Sequence, residues 1–411
     1  MNKKILLNIS WLIAEKGITI LLVFWSEGLI ARILTIEQYG QWTYSLNIVI
    51  LASSIALISG AEIAVPSLSR NQKIKNEIIS SIFIIRLVFA IIAYLTCILY
   101  SYYFVQDELL KEYICILSLI ILLNEPFSIV INYYQSIVKI KSIVFFRLIS
   151  LFIRCLTISL IYKITLDKSL IAYSRVLESL FLAIFLSILF FKLRLQFKLR
   201  FNITKKLLYR GLSFWPSLIL MYVYLRLDRF FIEYYLDFKV LALYSIAIQI
   251  MEQLFTLIKI IAQSVSPIYI FKKQTSTELK NNLFKLSVLF FVVSLIIIVV
   301  MKLFLPYIIN LIFGYKYTES ASIAIELLPS IIFFSIDAII LQYVYREKLS
   351  FLLLKKWTLA CIISFVTYYI YFNFLTFKNP ALIYNINYFL IMIISILFFI
   401  KALKNERKQK I

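Results

Sequence analysis

The strongest constraint on the fold is a series of apolar runs, each about as long as a membrane is thick. A helix needs roughly 20 mostly apolar residues to cross the hydrocarbon core of a bilayer. Twelve such runs follow one another along the 411 residues, and they use up almost the whole chain. They lie at about 10–33, 43–66, 79–104, 113–135, 143–165, 169–191, 211–233, 240–266, 284–305, 320–344, 356–377 and 382–401. This pattern predicts an all-α polytopic membrane protein with about twelve transmembrane helices.

The distribution of basic residues predicts the orientation of these helices. Of the 43 Lys and Arg residues, 28 fall in loops that are cytoplasmic if the N-terminus is inside, and 8 fall in the opposite loops. Cytoplasmic loops are enriched in Lys and Arg, so we expect both termini in the cytoplasm. The net charge of +22 then reflects topology, and we expect no nucleic-acid partner.

The residue types that carry most enzyme chemistry are scarce. Histidine, the commonest general base and metal ligand, does not occur in the sequence. The four cysteines lie in or beside apolar runs without paired spacing, so we interpret them as buried hydrophobic residues. The first apolar run carries Glu15 and Lys16 and lacks a cleavage site, so we expect no cleavable signal peptide. We expect no catalytic residues, no metal and no cofactor.

A basic connector divides the chain into two halves. We predict an N-terminal six-helix lobe at 1–191, a cytoplasmic connector at 192–210 and a C-terminal six-helix lobe at 211–411. The connector alternates basic and apolar residues, a pattern that suits a segment lying on an anionic membrane surface. Ordinary topology-setting charge is the alternative interpretation.

The seventh predicted span carries an unusual group of charges near one end. A charge in hydrocarbon costs roughly 2.5–3.5 kcal/mol even on lenient insertion scales, so such residues normally face water or a partner. Arg226, Arg229 and Glu233 are spaced by three and four residues, so they share one helical face. Either Glu233 or a bound pyrophosphate could compensate the two arginines. Asp228 points elsewhere, and Arg226 has no obvious partner within its own span.

Other predicted spans also contain charges, which either line a polar lumen or form ion pairs between helices. We favour a structural role for Arg32, Arg86 and Arg147, and a lumen role for Arg226 and Arg229, because an arginine binds phosphate bidentately. Buried carboxylates are candidates for proton or cation coupling. The substrate-binding candidates are Arg226, Arg229, Lys16, Arg154 and Lys259. The ion-coupling candidates are Asp228, Glu27, Glu62, Glu252 and Asp337.

An internal repeat relates the two halves. The stretch ARILTIEQYGQWTYSLNIVI at 31–50 matches EYYLDFKVLALYSIAIQI at 233–250. The matched pairs are Leu34 with Leu236, Gly40 with Ala242, Trp42 with Tyr244, Thr43 with Ser245 and, within one residue, Pro66 with Pro267. Internal repeats of this kind are typical of transporters in which one half rocks against the other.

These stretches resemble the O-antigen and polysaccharide flippase family of the multidrug/oligosaccharidyl-lipid/polysaccharide exporter superfamily. The opening NISWLIAEKGITILLVFWSEGLIARILTIEQYG is similar to that family's first helix and its Ala-Arg-x-Leu-x-x-x-x-Tyr-Gly turn. LDRFFIEYYLDFKVLALYSIAIQI resembles its seventh-helix aspartate and Gly-x-Tyr-Ser hinge, although Ala242 replaces the glycine. FGYKYTESASIAIELLP at 313–329 is similar to the segment before its tenth helix.

The resemblance implies two six-helix lobes around a central cavity that opens alternately to each face. Its implied cargo is an oligosaccharide linked to undecaprenyl diphosphate, an O-antigen or similar lipopolysaccharide repeat unit, moved from the cytoplasmic to the periplasmic leaflet of the bacterial inner membrane. Implied partners are a coupling proton or sodium ion, membrane lipids, a polysaccharide polymerase and a chain-length regulator.

Two other functions are alternatives to this interpretation of the sequence. A multidrug exporter of the same superfamily would have the same fold, although the seven bases within predicted spans argue against it. A membrane polysaccharide polymerase or ligase needs a sizeable outer loop for its catalytic groups, and none is predicted. We therefore expect a transporter and not an enzyme.

Overall fold

A computed structural model describes residues 3–137, 139–164, 168–192, 196–271, 275–347, 350–375 and 379–409. Within these ranges the chain is built from α-helices and two short 3-10 turns, at Gln72–Ile74 and Tyr315–Tyr317. The helices are α1 (Lys3–Ile33), α2 (Ile36–Ala56), α3 (Ala61–Arg70), α4 (Lys75–Phe104), α5 (Glu108–Asn124), α6 (Ser128–Ser136), α7 (Lys141–Ile164), α8 (Leu170–Lys192), α9 (Phe201–Tyr235), α10 (Phe238–Tyr269), α11 (Ser276–Ile312), α12 (Glu319–Leu327), α13 (Ser330–Arg346), α14 (Ser350–Phe374) and α15 (Pro380–Gln409).

The helices form twelve long segments that coincide with the twelve predicted spans. Among the described residues, nine segments are long and apolar enough to cross a membrane, and the bent pair α12–α13 makes a tenth. The other two are α1 and α9, and α9 carries the charged group of the seventh predicted span. The prediction of an all-α multi-pass membrane protein with about twelve helices is confirmed.

The chain divides into two compact units, Met1–Val223 and Tyr224–Ile411, and the division falls inside α9. The predicted connector at 192–210 is therefore only partly a connector, because its last ten residues, 201–210, already form the first turns of α9. These turns pack on the first unit, where Leu207 joins its core and the Trp215 Nε1 donates a 3.0 Å hydrogen bond to the Ile55 carbonyl oxygen. Connector residues 193–195 lie outside the described residues.

The internal repeat recurs in the helix boundaries. In the first unit α1 ends at Ile33, and the Thr35 side chain caps α2 by accepting a hydrogen bond from the Gln38 backbone N–H. In the second repeat α9 ends at Tyr235, and the Asp237 side chain caps α10 at the matching position. Side-chain oxygens at this position satisfy backbone N–H groups that the helix leaves unpaired. Both helix pairs thus turn at the same point of the repeat.

The two repeats differ where the second helix continues inward. The first unit breaks between α2 and α3, where Ser59 adopts a positive φ of 54°. The Ser59 carbonyl oxygen accepts a 3.2 Å hydrogen bond from Arg86, and the Ser59 hydroxyl donates to the Leu207 carbonyl oxygen at 3.1 Å. In contrast, α10 runs without a break from Phe238 to Tyr269. Side-chain and backbone contacts therefore hold a strained turn between α2 and α3, in the segment whose counterpart in the repeat is the continuous helix α10.

Candidate functional site

The first candidate site is a buried cluster around Glu27, near the end of α1. The Glu27 carboxylate pairs with Arg154 of α7 at 2.5 Å and with Arg175 of α8 at 2.7 Å. Its other oxygen accepts a 3.2 Å hydrogen bond from the Trp42 indole N–H of α2. Glu178, half-buried on α8, lies 3.6 Å from Arg154. One carboxylate therefore joins three helices to its own.

This cluster unites residues from both sets of sequence candidates. Arg154 was expected to bind substrate and Glu27 to couple an ion, yet the structure pairs them with each other. Isolated buried charges are costly, and pairing with hydrogen bonds offsets that cost. The Glu27 carboxylate has its oxygens occupied by Arg154, Arg175 and Trp42, so it is positioned to hold the helices of the first unit together.

The second candidate site surrounds Glu252 of α10. The same Glu252 oxygen pairs with Arg229 at 2.6 Å and with Arg226 at 3.2 Å, so both α9 arginines share one acid. The sequence pattern offered Glu233 as their counter-charge, and the structure places Glu252 there instead. The Arg229 side chain is 4% exposed, whereas those of Arg226 and Glu252 are 16% and 39% exposed. Arg226 and Glu252 are therefore accessible, whereas Arg229 is buried.

Asp228 precedes Arg229 in α9 and has a different environment. The Tyr244 hydroxyl of α10 donates a 2.8 Å hydrogen bond to one Asp228 oxygen. The other carboxylate oxygen, Oδ1, is buried and has no hydrogen-bond partner among the residues that the structure describes. The side chain is among the buried groups of the second unit. Buried polar atoms are nearly always hydrogen-bonded, so an unsatisfied carboxylate oxygen requires an explanation.

Glu27 and Asp228 each accept a hydrogen bond from an aromatic side chain of the internal repeat. Trp42 and Tyr244 occupy matching positions of the internal repeat, and each donates its N–H or O–H to a carboxylate on the preceding helix. Glu27, however, is also paired with two arginines, whereas no base in the described part of the chain forms an ion pair with Asp228. Sequence comparison of the halves found the aromatic positions, but only the structure reveals the acids to which they donate.

A third buried ion pair lies in the second unit. Asp337 of α13 accepts hydrogen bonds from the Lys356 ammonium at 2.6 and 2.8 Å and from the Ser395 hydroxyl at 2.5 Å. Lys356 is the first residue of the predicted span 356–377, and the structure places it within α14, where it is buried. An acid within an apolar run, such as Asp337, requires a partner. That requirement is the sequence feature that could have indicated a buried base such as Lys356.

The remaining candidates stand apart from these clusters. Lys16 is half-buried on α1, where Glu15 and Arg147 are the charges that act on it. Glu62 is exposed at the start of α3, and Lys259 is exposed on α10. Within the described ranges no group of three or more His, Cys, Asp or Glu residues could hold a metal ion.

Arg86, for which a structural role is predicted, is buried in the first unit. Its guanidinium donates to the Ser128 hydroxyl, to the Ser59 carbonyl oxygen at 3.2 Å and to the Glu125 carbonyl oxygen at 3.4 Å. These groups belong to the α2–α3 break and to the turn between α5 and α6. Arg86 therefore fixes two breaks in long helical segments, which agrees with the predicted role.

Solved structures of transporters have this fold. A multidrug resistance MATE family transporter of the MOP superfamily, in an inward-facing conformation, has a TM-score of 0.77 and 13% identity, with 94% of this chain and 95% of that chain covered. A MOP superfamily transporter from Pyrococcus furiosus has a TM-score of 0.67 and 14% identity, with 95% and 93% covered. The lipid II flippase MurJ, inward closed, has a TM-score of 0.68 and 14% identity, with 95% and 87% covered.

Curated protein sequences contain no significant match to this chain. A family model, in contrast, matches most of it. The model described as "Polysaccharide biosynthesis protein" matches residues 29–322, which include the Trp42 and Tyr244 repeat positions and both α9 arginines. Together with the twelve helical segments and the fold shared with MOP superfamily transporters, this match shows that the chain belongs to the polysaccharide biosynthesis protein family, as the sequence resemblance predicted.

Proposed function

We propose that the protein is a flippase that moves an oligosaccharide linked to undecaprenyl diphosphate from the cytoplasmic to the periplasmic leaflet by alternating access. The family match over residues 29–322 carries this proposal, because it joins polysaccharide biosynthesis to a chain with a transporter fold. The similarity to the lipid II flippase adds support, since that protein also handles a lipid-linked cargo. Polysaccharide synthesis on a lipid requires that the finished unit cross the membrane.

The α9 arginines are the groups proposed to receive the cargo's diphosphate. Arg226 is the more exposed of the two and has the longer contact with Glu252, at 3.2 Å against 2.6 Å for Arg229. A diphosphate carries more charge than a carboxylate and matches the arginine fork. It would therefore displace the accessible Glu252 from Arg226, while Arg229 retains Glu252 and the structure around it.

We propose that transport is coupled to a proton at Asp228. Three acids are buried among the described residues, and two of them are paired with bases: Glu27 with Arg154 and Arg175, and Asp337 with Lys356. Among the described residues no base forms an ion pair with Asp228 within 4 Å, and its Oδ1 oxygen has no hydrogen-bond partner, although Tyr244 donates to the other oxygen. A proton on that oxygen would remove the buried charge, whereas a sodium ion needs several oxygen ligands. The acid with the poorest compensation is the one best suited to titrate.

The proposed setting is the bacterial inner membrane, with both termini in the cytoplasm. The repeat unit would be an O-antigen or related polysaccharide unit, and a polymerase and a chain-length regulator would receive the exported units. The basic residues that dominate the predicted cytoplasmic loops support this orientation.

Deletion in the source bacterium tests the proposal. We expect loss of the surface polysaccharide and accumulation of lipid-linked repeat units that an impermeant sugar-labelling reagent does not reach. Complementation with the wild-type gene should restore export, and Arg226→Ala at equal membrane abundance should not. Accumulation of labelled, unpolymerised units at the outer face would instead indicate a polymerase.

A multidrug exporter is the second candidate, and the TM-score of 0.77 to a multidrug resistance transporter favours it. The same deletion distinguishes the two candidates. An exporter predicts increased sensitivity to lipophilic cations with an unchanged surface polysaccharide. The flippase predicts the reverse, because paired arginines suit an anionic cargo and repel cations.

A further inference from the structure

The first unit contains an apolar cavity that none of the proposed transport steps uses. Its volume is about 150 Å³, and it lies at the end of the unit where the connector meets α4, α6 and α8. It is lined by Ile79, Ser80, Phe83, Phe127, Ile129, Val130, Ser187, Phe190, Phe191 and Phe197. An apolar cavity of about this size can bind a molecule such as benzene. It is thus large enough for part of one hydrocarbon chain.

The polar atoms of the lining already have partners. The Ser187 hydroxyl donates to the Ala183 carbonyl oxygen at 2.8 Å, and the Ser80 hydroxyl accepts a 2.9 Å hydrogen bond from the Lys198 backbone N–H. Neither serine therefore requires a water or a polar ligand inside the cavity. The interior of the cavity is therefore apolar and suited to a hydrocarbon chain.

Two aromatic side chains at the entrance, or rim, of the cavity are exposed on the protein surface. Phe191 is 72% exposed and Phe197 is 53% exposed, although each also lines the cavity. Phe197 packs edge-on against Phe83 at a centroid distance of 6.2 Å. The connector thus forms one wall of the cavity through Phe197 and through the Lys198 backbone, and the exposed rings lead from the cavity to the exterior.

Basic residues are close neighbours in sequence of the two rim phenylalanines. Lys192 follows Phe191, and Lys198 and Arg200 flank or follow Phe197; all three are exposed. Glu77, in the first turn of α4, is the acid nearest to this end of the helix. Basic residues next to a membrane attract anionic headgroups, by roughly fivefold in affinity for each Lys or Arg. An apolar cavity with a cationic rim fits a lipid that has a hydrocarbon chain and an anionic head.

We propose that this cavity and rim form a binding site for an anionic phospholipid of the surrounding membrane, with part of one acyl chain in the cavity and the phosphate at Lys198 and Arg200. The site goes beyond the proposed transport function and does not depend on the identity of the cargo. Because the connector forms its wall, a bound lipid would stabilise the position of 196–200 against α4.

Photo-crosslinking tests the proposal with purified full-length protein in vesicles. The probes are phosphatidylglycerol and phosphatidylcholine that carry the same diazirine on one acyl chain, near its glycerol end. We expect phosphatidylglycerol to label peptides around Phe83 and Phe191, and phosphatidylcholine to label them at least about fivefold less. Lys198→Gln with Arg200→Gln should remove this preference, whereas Lys302→Gln, an exposed base of α11, should not.

A cavity-filling variant provides the second arm. Val130→Phe should abolish labelling inside the cavity while the exposed face of α11 is still labelled by both lipids. Equal labelling by the two probes, or labelling unchanged by Val130→Phe, would overturn the proposal. Displacement of the label by an equal amount of farnesyl diphosphate would also overturn it, because the cavity would then belong to an isoprenoid diphosphate and not to a phospholipid.

Discussion

At the residue scale, the buried charges fall into two kinds, those with complete compensation and those without. Glu27 is held by two arginines and a tryptophan, and Asp337 by a lysine and a serine. Asp228 has an unsatisfied oxygen, and Glu252 is shared and partly exposed. We propose that the first kind stabilises helix packing and that the second kind serves transport.

Glu27→Gln tests the structural kind. The substitution keeps the shape of the side chain but leaves Arg154 and Arg175 without their shared negative charge. Breaking one buried pair costs about 3–5 kcal/mol, so we expect little folded protein in the membrane and a large loss of thermal stability in detergent. Glu178→Gln is the control, since its contact with Arg154 is 3.6 Å long and half-exposed. Comparable losses in the two variants would contradict this account.

Asp228→Asn tests the transporting kind. Asparagine retains an oxygen that accepts from Tyr244 and removes only the charge, so we expect normal membrane abundance. Export should no longer depend on the pH gradient in vesicles that contain the variant. Asp337→Asn is the matched comparison, because it leaves the Lys356 ammonium buried without its acid and should lower abundance instead. Undiminished gradient dependence in Asp228→Asn would exclude Asp228 as the coupling group.

At the element scale, α9 is the helix that both units share. Its first half packs on the α2–α3 break and its second half carries the charged group. A Cβ on Gly211 would lie 2.5 Å from the Ser59 hydroxyl oxygen and 3.0 Å from the Ser59 backbone nitrogen. The glycine therefore allows α9 to approach a strained turn closely.

Gly211→Ala should consequently destabilise the first unit by about 1–3 kcal/mol, the usual cost of overpacking. Gly17→Ala is the matched control, because a Cβ there meets nothing within 4 Å and alanine has the higher helix propensity. Thermal unfolding of the two variants in detergent measures the difference. Equal stability of both variants would show that α9 does not contact the break as described.

The helices could be predicted from sequence, whereas the ion pairs could not. Apolar runs report the length of a membrane span directly, and the gaps between predicted spans at 33–43 and 233–240 contain the helix caps Thr35 and Asp237. The partner of a charge depends on which helices are neighbours, which one sequence does not contain. Same-helix spacing therefore suggested Glu233 for the arginines, and no spacing within one helix could indicate Lys356 as the partner of Asp337.

At the scale of the whole molecule, the orientation in the membrane follows from the loop charges. Reporter fusions at Asp107 and Asp237, the residues that cap α5 and α10, should report the periplasmic face. Fusions at both termini should report the cytoplasm, because the 28 to 8 distribution of basic residues favours that orientation. A cytoplasmic signal at either aspartate would contradict the twelve-span topology.

The central claim is that this protein carries a lipid-linked oligosaccharide across a membrane and that Arg226 receives the diphosphate. Purified protein in vesicles loaded with undecaprenyl-diphosphate-linked oligosaccharide, with an impermeant lectin as the probe, measures this directly. We expect wild-type protein to expose nearly all of the oligosaccharide, Arg226→Lys to do so only slowly, and Arg226→Ala to expose no more than empty vesicles while folding normally, since Glu252 retains Arg229 at 2.6 Å. Equal exposure by wild-type protein and by Arg226→Ala, or no exposure by wild-type protein, would contradict the account.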